Sequence, residues 1–252
     1  MRFPILAALA AGLAAACGST LKPETFPTPE GLWEASMAAW ERGDCGDAQI
    51  GFDAVAIRLP PRDPRVGEAR YLAAMCELDD GERLEAARRF RRLVSDFPQH
   101  ERAPWALLRE GDAYAELWNR PELDPTYGRS ALSSYRELLS LYPNAEPADS
   151  ARGRMQDLQD LFARKDLKNG EFYLRFGAYD SAIIYFRSVV AQWPESRLAP
   201  LALLKLVETY RKIGYTEELE ETCAHLRRFY PDTEGVADQC PPEGGPTVSR
   251  SP

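Results

Sequence analysis

The chain has 252 residues, 44% of them hydrophobic and 28% charged, and a formal net charge of −8 at pH 7. An acidic balance without a long basic cluster argues against a nucleic-acid-binding surface. With both ends set aside, about two hundred residues remain, enough for one helical array rather than two globular domains.

Met1 and Arg2 lead into an apolar run over 3–16, too short to span a bilayer, so 1–16 reads as a signal peptide. Small residues Ala14, Ala15 and Ala16 then precede Cys17 and Gly18. This resembles a lipobox, in which the cysteine thiol is acylated and becomes the new N-terminus. Leu13 stands one position further from the cysteine than the usual pattern, so ordinary cleavage after Ala16 is a second reading. A lone cysteine directly after such a run favours lipidation at Cys17. Gly18 in place of an aspartate would, by the bacterial sorting rule, direct the product to the outer membrane. The stretch 17–29 is polar and contains proline, and reads as a lipidated N-terminus followed by an extended tether.

From residue 30 to 231 one template recurs five times. Each copy ends at a proline: Pro60, Pro98, Pro143, Pro194 and Pro231. At one fixed offset before these stand Gly43, Gly81, Thr126, Gly177 and Gly214, and at another Ala48, Ala86, Ala131, Ala182 and Leu219. A third offset carries Phe52, Phe90, Tyr135, Phe186 and Cys223, and the residue before the proline is Leu59, Phe97, Tyr142, Trp193 or Tyr230. In the fourth copy Ala182, Tyr185, Phe186, Val189, Val190 and Trp193 recur at spacings that place them on one helical face. A turn glycine, an amphipathic helix and a proline stop make the second half of a helix–turn–helix repeat. The first halves carry small residues at Ser36, Ala74, Gly111, Gly170 and Val207 and aromatics at Tyr114, Tyr173 and Tyr210. The fold class is therefore all-α: an α-solenoid of five such repeats.

Two intervals between terminal prolines are lengthened. In the third copy the added residues, 117–125, hold two prolines and read as a loop. In the fourth they fall in 148–167, which has no proline and stays helix-like. About fourteen extra residues add about 21 Å at 1.5 Å per residue and close to four whole turns, keeping the buried face in phase. The first helix of repeat four is thus expected to be long. Beyond Asp232, Pro-Pro and Gly-Gly pairs with few apolar residues read as a disordered tail over 232–252.

The order small, aromatic, glycine, alanine, aromatic, proline resembles the tetratricopeptide repeat. The linking loops add that Phe97, Tyr142 and Trp193 each precede a proline, with Ala103, Ala148 and Ala199 after four intervening residues. Together with the long fourth-repeat helix, Asp124-Pro125 ahead of Ala131, and Phe172-Tyr173 ahead of Gly177, this resembles the BamD (ComL) family. The resemblance covers about residues 30 to 231 and is densest from Asp124 to Pro231. It implies an outer-membrane lipoprotein of the β-barrel assembly machinery, facing the periplasm. The implied partners are the POTRA domains of the barrel-inserting subunit, other assembly lipoproteins, unfolded outer-membrane proteins, and the membrane through the lipid. No nucleic acid is implied.

Four cysteines remain beyond Cys17 in a compartment expected to be oxidising. Cys45 and Cys76 fall at helix ends that adjoin in a repeat stack, and Cys223 and Cys240 would pin the tail to the last helix. Each pair is a disulfide candidate, with buried or free thiols as the alternative. His100 and His225 lie in no metal-ligand spacing, and no nucleophile–base motif, phosphate loop or dinucleotide pattern occurs. The reading therefore carries no catalytic residue, no metal and no cofactor. Arg88, Arg89, Arg91 and Arg92 surround Phe90; they read as a solvated helix face, or as a dock for acidic lipid or protein.

In a repeat array the first helices line the concave face. The inward positions are Trp33, Met37 and Trp40, then Tyr71, Met75 and Leu78, against Leu204, Glu208 and Arg211 in the fifth repeat. The N-terminal set is apolar, aromatic and rich in methionine, and is a candidate groove for the aromatic C-terminal segment of barrel substrates. Its alternative is packing between repeats. Arg187, Arg197, Arg211 and Lys212 are candidates for a protein partner. A rival function is a periplasmic repeat adaptor in cell division or peptidoglycan synthesis.

Overall fold

A computed structural model of the chain describes residues 20–120 and 122–241. Cys17, the signal peptide and residues 242–252 lie outside the described residues. Helices alternate with short turns, and no β-strand occurs among the described residues. The chain forms two compact units that divide between Glu85 and Ala86.

The first unit holds α1 (Pro29–Glu41), α2 (Cys45–Arg58), α3 (Pro64–Asp79) and the start of α4 (Arg83–Asp96). Its helix starts are fixed by short polar caps. Thr28 Oγ1 accepts from Gly31 N at 3.2 Å, Asp44 Oδ1 from Asp47 N at 3.1 Å, and Asp63 Oδ1 from Arg65 N at 2.9 Å. Pro29 and Pro64 follow two of these caps, where a missing N–H costs nothing. α2 packs on both α1 and α3, and its buried face is Ala48, Gly51, Phe52 and Val55. α3 runs on through Glu77 to Asp79, and the short turn into α4 passes through Gly81, at φ +85°.

Of the segment expected to be an extended tether, residues 20–28 are held against the first unit at Thr20, Leu21 and Phe26, with most of their side chains still exposed. A short 3-10 helix, Pro23–Thr25, lies against α2, and Arg58 Nη1 donates to Phe26 O at 2.9 Å. The reason is a buried acceptor at Asp47, described below.

The second unit contains the rest of α4, α5 (Ala103–Leu117), α6 (Thr126–Leu141), α7 (Ala148–Arg175), α8 (Tyr179–Gln192), α9 (Ala199–Ile213), α10 (Thr216–Phe229) and α11 (Val236–Gln239). Consecutive helices pack as antiparallel hairpins from α5 to α10. The expected long helix is α7, with 28 residues. The turn from α7 to α8 passes through Gly177 at φ +71°, a conformation that a side chain would strain.

The repeat template describes the core. Phe52, Phe90 and Phe186 have 0% exposure, Tyr135 has 1%, and the alanines at 48, 86, 131 and 182 have 0%. Small residues on first helices make room for these rings. A Cβ on Gly111 would come within 2.2 Å of Tyr135 Cε1, and one on Gly170 within 2.4 Å of Phe186 Cε1. The loop 117–125 contributes more than a connection. Trp118 is 1% exposed, its ring 4.2 Å from that of Phe162, which stacks in turn on Trp193 at 4.6 Å.

The tail expected from Asp232 onward starts folded. α11 packs on α9 and α10, and Val236 and Cys240 are buried, because Cys240 is bonded to Cys223.

Candidate protein-binding surfaces

In the first unit, α1 and α3 carry the expected groove residues. Trp33, Met37, Trp40, Met75 and Leu78 are half-buried, each keeping part of its side chain open. Trp33 rests against Phe52 with ring centroids 5.7 Å apart. Tyr71 differs: at 6% exposure it belongs to the core and offers little surface. Its neighbours Leu72, Ala73 and Ala74 are equally buried, so α3 is enclosed around much of its circumference.

Three of the four expected partner cations, all exposed, bond to groups of the second unit itself. Arg187 donates from Nε to Tyr210 Oη at 3.0 Å and lies over the same ring. Arg197 bonds Asp157 at 2.7 Å and, through Nε, Asp160. Asp160 also accepts from Ser196 Oγ at 2.7 Å and from Arg197 N at 2.8 Å, which fixes the loop between α8 and α9. These donors hold the Asp160 carboxyl below its usual range even though burial pushes the other way. Arg211 donates to Gln239 O at 2.7 Å and so holds α11. Lys212 is exposed and borders an open cleft of about 680 Å³ between the end of α7 and α9. Phe176, 72% exposed, Tyr179, Lys205 and Glu208 share that cleft.

Repeat three brings charge into the interior. Asp112 on α5 accepts from Tyr135 Oη at 2.9 Å and pairs with Arg109 at 3.2 Å and with Arg154. It is therefore committed to the fold. Glu110 is 2% exposed and pairs with Arg91 at 2.9 Å, while Arg91 also holds Glu137 at 2.7 Å. Burial raises the Glu110 carboxyl to about 7; Arg91 opposes the shift and Glu137 adds to it. Arg91 thus leaves the basic run on α4, where Arg92 remains exposed.

The two cysteine pairs behave differently. Cys223 and Cys240 form a disulfide with Cα atoms 5.1 Å apart. Cys45 and Cys76 are both free, the second of the two alternatives for this pair. The thiols nonetheless adjoin, hydrogen-bonded to each other across α2 and α3, and burial first of all raises both above the ordinary thiol range. His100 Nδ1 accepts from Arg102 N at 3.1 Å in its loop, and His225 packs on Phe229.

Sequence reasoning missed Asp47 and Glu110. Asp47 is 2% exposed on the first turn of α2, and its partners lie 26 and 27 residues away. Nothing in a local pattern marks such a pair. The one available signal was an acid sitting on an otherwise apolar helix face.

The chain matches the YfiO family, described as outer membrane lipoprotein, over residues 27–226. Among similar proteins is the outer membrane protein assembly factor BamD of Vibrio cholerae serotype O1, 28% identical over 88% of this chain and 96% of that protein. The BamD of Caulobacter vibrioides is 27% identical over 93% of this chain and 78% of its own. Among solved structures, a TPR repeats protein from Bacteroides fragilis superposes with a TM-score of 0.50 over 85% of this chain and 96% of that one, at 12% identity. That likeness concerns the fold: tetratricopeptide-type helical hairpins. The matched span runs from just before α1 into α10, and on that extent the chain belongs to the YfiO family of outer membrane lipoproteins.

Proposed function

We propose that this chain is an assembly factor for outer-membrane proteins: a lipid-anchored scaffold facing the periplasm that binds other polypeptides and performs no reaction of its own. The observation that carries the reading is likeness to two assembly factors along most of the chain, 88% in one case and 93% in the other. Helical hairpins present side chains on rigid frames, and such repeats act through surfaces rather than through enclosed sites.

In the finer reading, the scaffold receives the POTRA domains of the barrel-inserting subunit, other assembly lipoproteins, and unfolded outer-membrane proteins. The half-buried Trp33, Met37, Trp40, Met75 and Leu78 supply adaptable apolar surface for an aromatic peptide. Lys212 and the exposed Phe176 beside the cleft are better partner residues than Arg187 or Arg197, whose guanidinium groups already have partners. Cys17 carries the lipid.

Affinity purification from detergent-solubilised membranes tests the reading. Recovery of the barrel-inserting subunit is the expected result, and its consistent absence would overturn the proposal. Trp40→Ala should weaken binding of an aromatic C-terminal peptide about tenfold or more while leaving the helical content intact. Lys212→Glu should weaken the POTRA interaction and leave peptide binding unchanged, a separation readable by titration calorimetry.

A further inference from the structure

Asp47 is an unusual use of a carboxylate. It sits on the first turn of α2, 2% exposed, and receives three hydrogen bonds from the chain ahead of the repeats. Thr20 N donates to Oδ1 at 2.6 Å, Thr20 Oγ1 to Oδ2 at 2.5 Å, and Leu21 N to Oδ1 at 2.9 Å. Charge-assisted bonds of this kind are the strong ones, and a buried carboxylate deprived of them would bear a large desolvation cost. Apolar contact reinforces the seat. A Cβ placed on Gly51, one turn further along α2, would meet Ser36 Oγ at 2.1 Å and Leu21 Cδ1 at 3.4 Å, so Ser36 of α1 fills the space beside the glycine and the leucine lies at its edge, in contact with α2. Downstream, Phe26 O accepts from Arg58 at 2.9 Å, and Thr28 caps α1. The segment from Thr20 to Thr28 is therefore a built part of the first unit.

The consequence concerns the membrane. Thr20 is only three residues beyond Cys17. Three residues reach at most about 10 Å even when fully extended. We infer that Asp47 is a docking site for the chain's own N-terminal segment, and that this clamp sets where a lipid on Cys17 holds the protein: with the N-terminal turn of α2 close to the bilayer surface. This rests on the lipidation proposed above. A free tether over 17–29 would instead let the first unit range at the end of a chain about 20 Å in mean span. The clamp makes the anchor's point of action the second helix of the repeat array rather than the first residue of α1.

The experiment uses the full lipidated chain in vesicles of phosphatidylethanolamine and phosphatidylglycerol. A fluorophore is introduced at Ile50, which is 40% exposed and one turn from Asp47, and energy transfer to a headgroup-labelled lipid is measured. A flexible Gly/Ser spacer of about ten residues, with a mean span of about 18 Å, is inserted at either of two places. Inserted between Ser19 and Thr20, it lies between lipid and clamp and should lower transfer several-fold. Inserted between Phe26 and Pro27, it lies beyond the clamp and should leave transfer unchanged. Equal loss from both spacers would overturn the inference. Asp47→Ala, and independently Thr20→Pro, which leaves α2 untouched, should both abolish the difference between the spacers.

The clamp and the lipid are separately readable. In the same chain without vesicles, amide exchange at Thr20 and Leu21 should be slowed about tenfold or more, and Asp47→Ala should release it. Protection with no incorporated palmitate would sink the lipidation alone. Palmitate without protection would sink the clamp.

Discussion

Gly170 and Phe186 show how tightly the repeat is specified at single residues. The ring occupies the space a Cβ would take, so Gly170→Ala must push Phe186 aside within a packed interior. Overpacking of this kind costs about 1–3 kcal/mol, whereas Phe186→Ala leaves a cavity costing about 3–5 kcal/mol. The double variant should be less destabilised than the sum, because removing the ring relieves the clash; denaturant titration of the four proteins measures this. Glu110 gives a second residue-scale expectation. Its carboxyl titrates near 7 when folded and lower when unfolded, so the folded state binds its proton more tightly. Stability from this group is full below the unfolded value near 4.5 and is lost as pH rises through about 7. In Glu110→Gln that downward slope between about pH 4.5 and 7 should be flattened, as followed by thermal unfolding across pH. At this scale the sequence was readable where chemistry is local. The small residue and the aromatic could be aligned by offset, as with Gly170 and Phe186. The Glu110–Arg91–Glu137 group joins three helices, and only folding brings it together.

Among whole elements, the last helices depend on a covalent link. The Cys223–Cys240 bond has a sequence separation of 17 and ties α11 to α10. A loop of that size contributes about 3 kcal/mol by restricting the unfolded chain. Cys240→Ala should lower the unfolding midpoint and speed amide exchange at Val236 and Gln239, which lie at the two ends of α11, with little change in α5 or α6. The turns, the proline stops and the length of α7 were legible because each depends on one residue or one period. Two elements were not. Residues 117–125 read as a loop because of their prolines, yet they bring Trp118 into the core against Phe162. The segment from Asp232 reads by composition as too polar to fold, yet the Cys223–Cys240 bond, a candidate on the sequence, holds Val236 in place.

For the molecule entire, the main expectation concerns attachment. No helix among the described residues is long and apolar enough to cross a membrane, so on the proposed reading the lipid on Cys17 carries the association. Cys17→Ala should move the chain from the membrane fraction to the soluble fraction and abolish palmitate incorporation, assayed by fractionation and labelling. The repeat count and helical class were legible from residue 30 to 231 because five copies of one template reinforce each other. The division at Glu85 was not, since the template runs through α3 and α4 without a break in pattern. The tryptophans are also unevenly shielded: Trp118 is enclosed, whereas Trp33 and Trp40 in the first unit and Trp105 and Trp193 in the second are partly open. Indole emission shifts to longer wavelength on contact with water, so a red shift on denaturation would report chiefly the second unit. Replacing Trp118 with phenylalanine should remove most of that shift, giving an optical handle on one unit without any added dye.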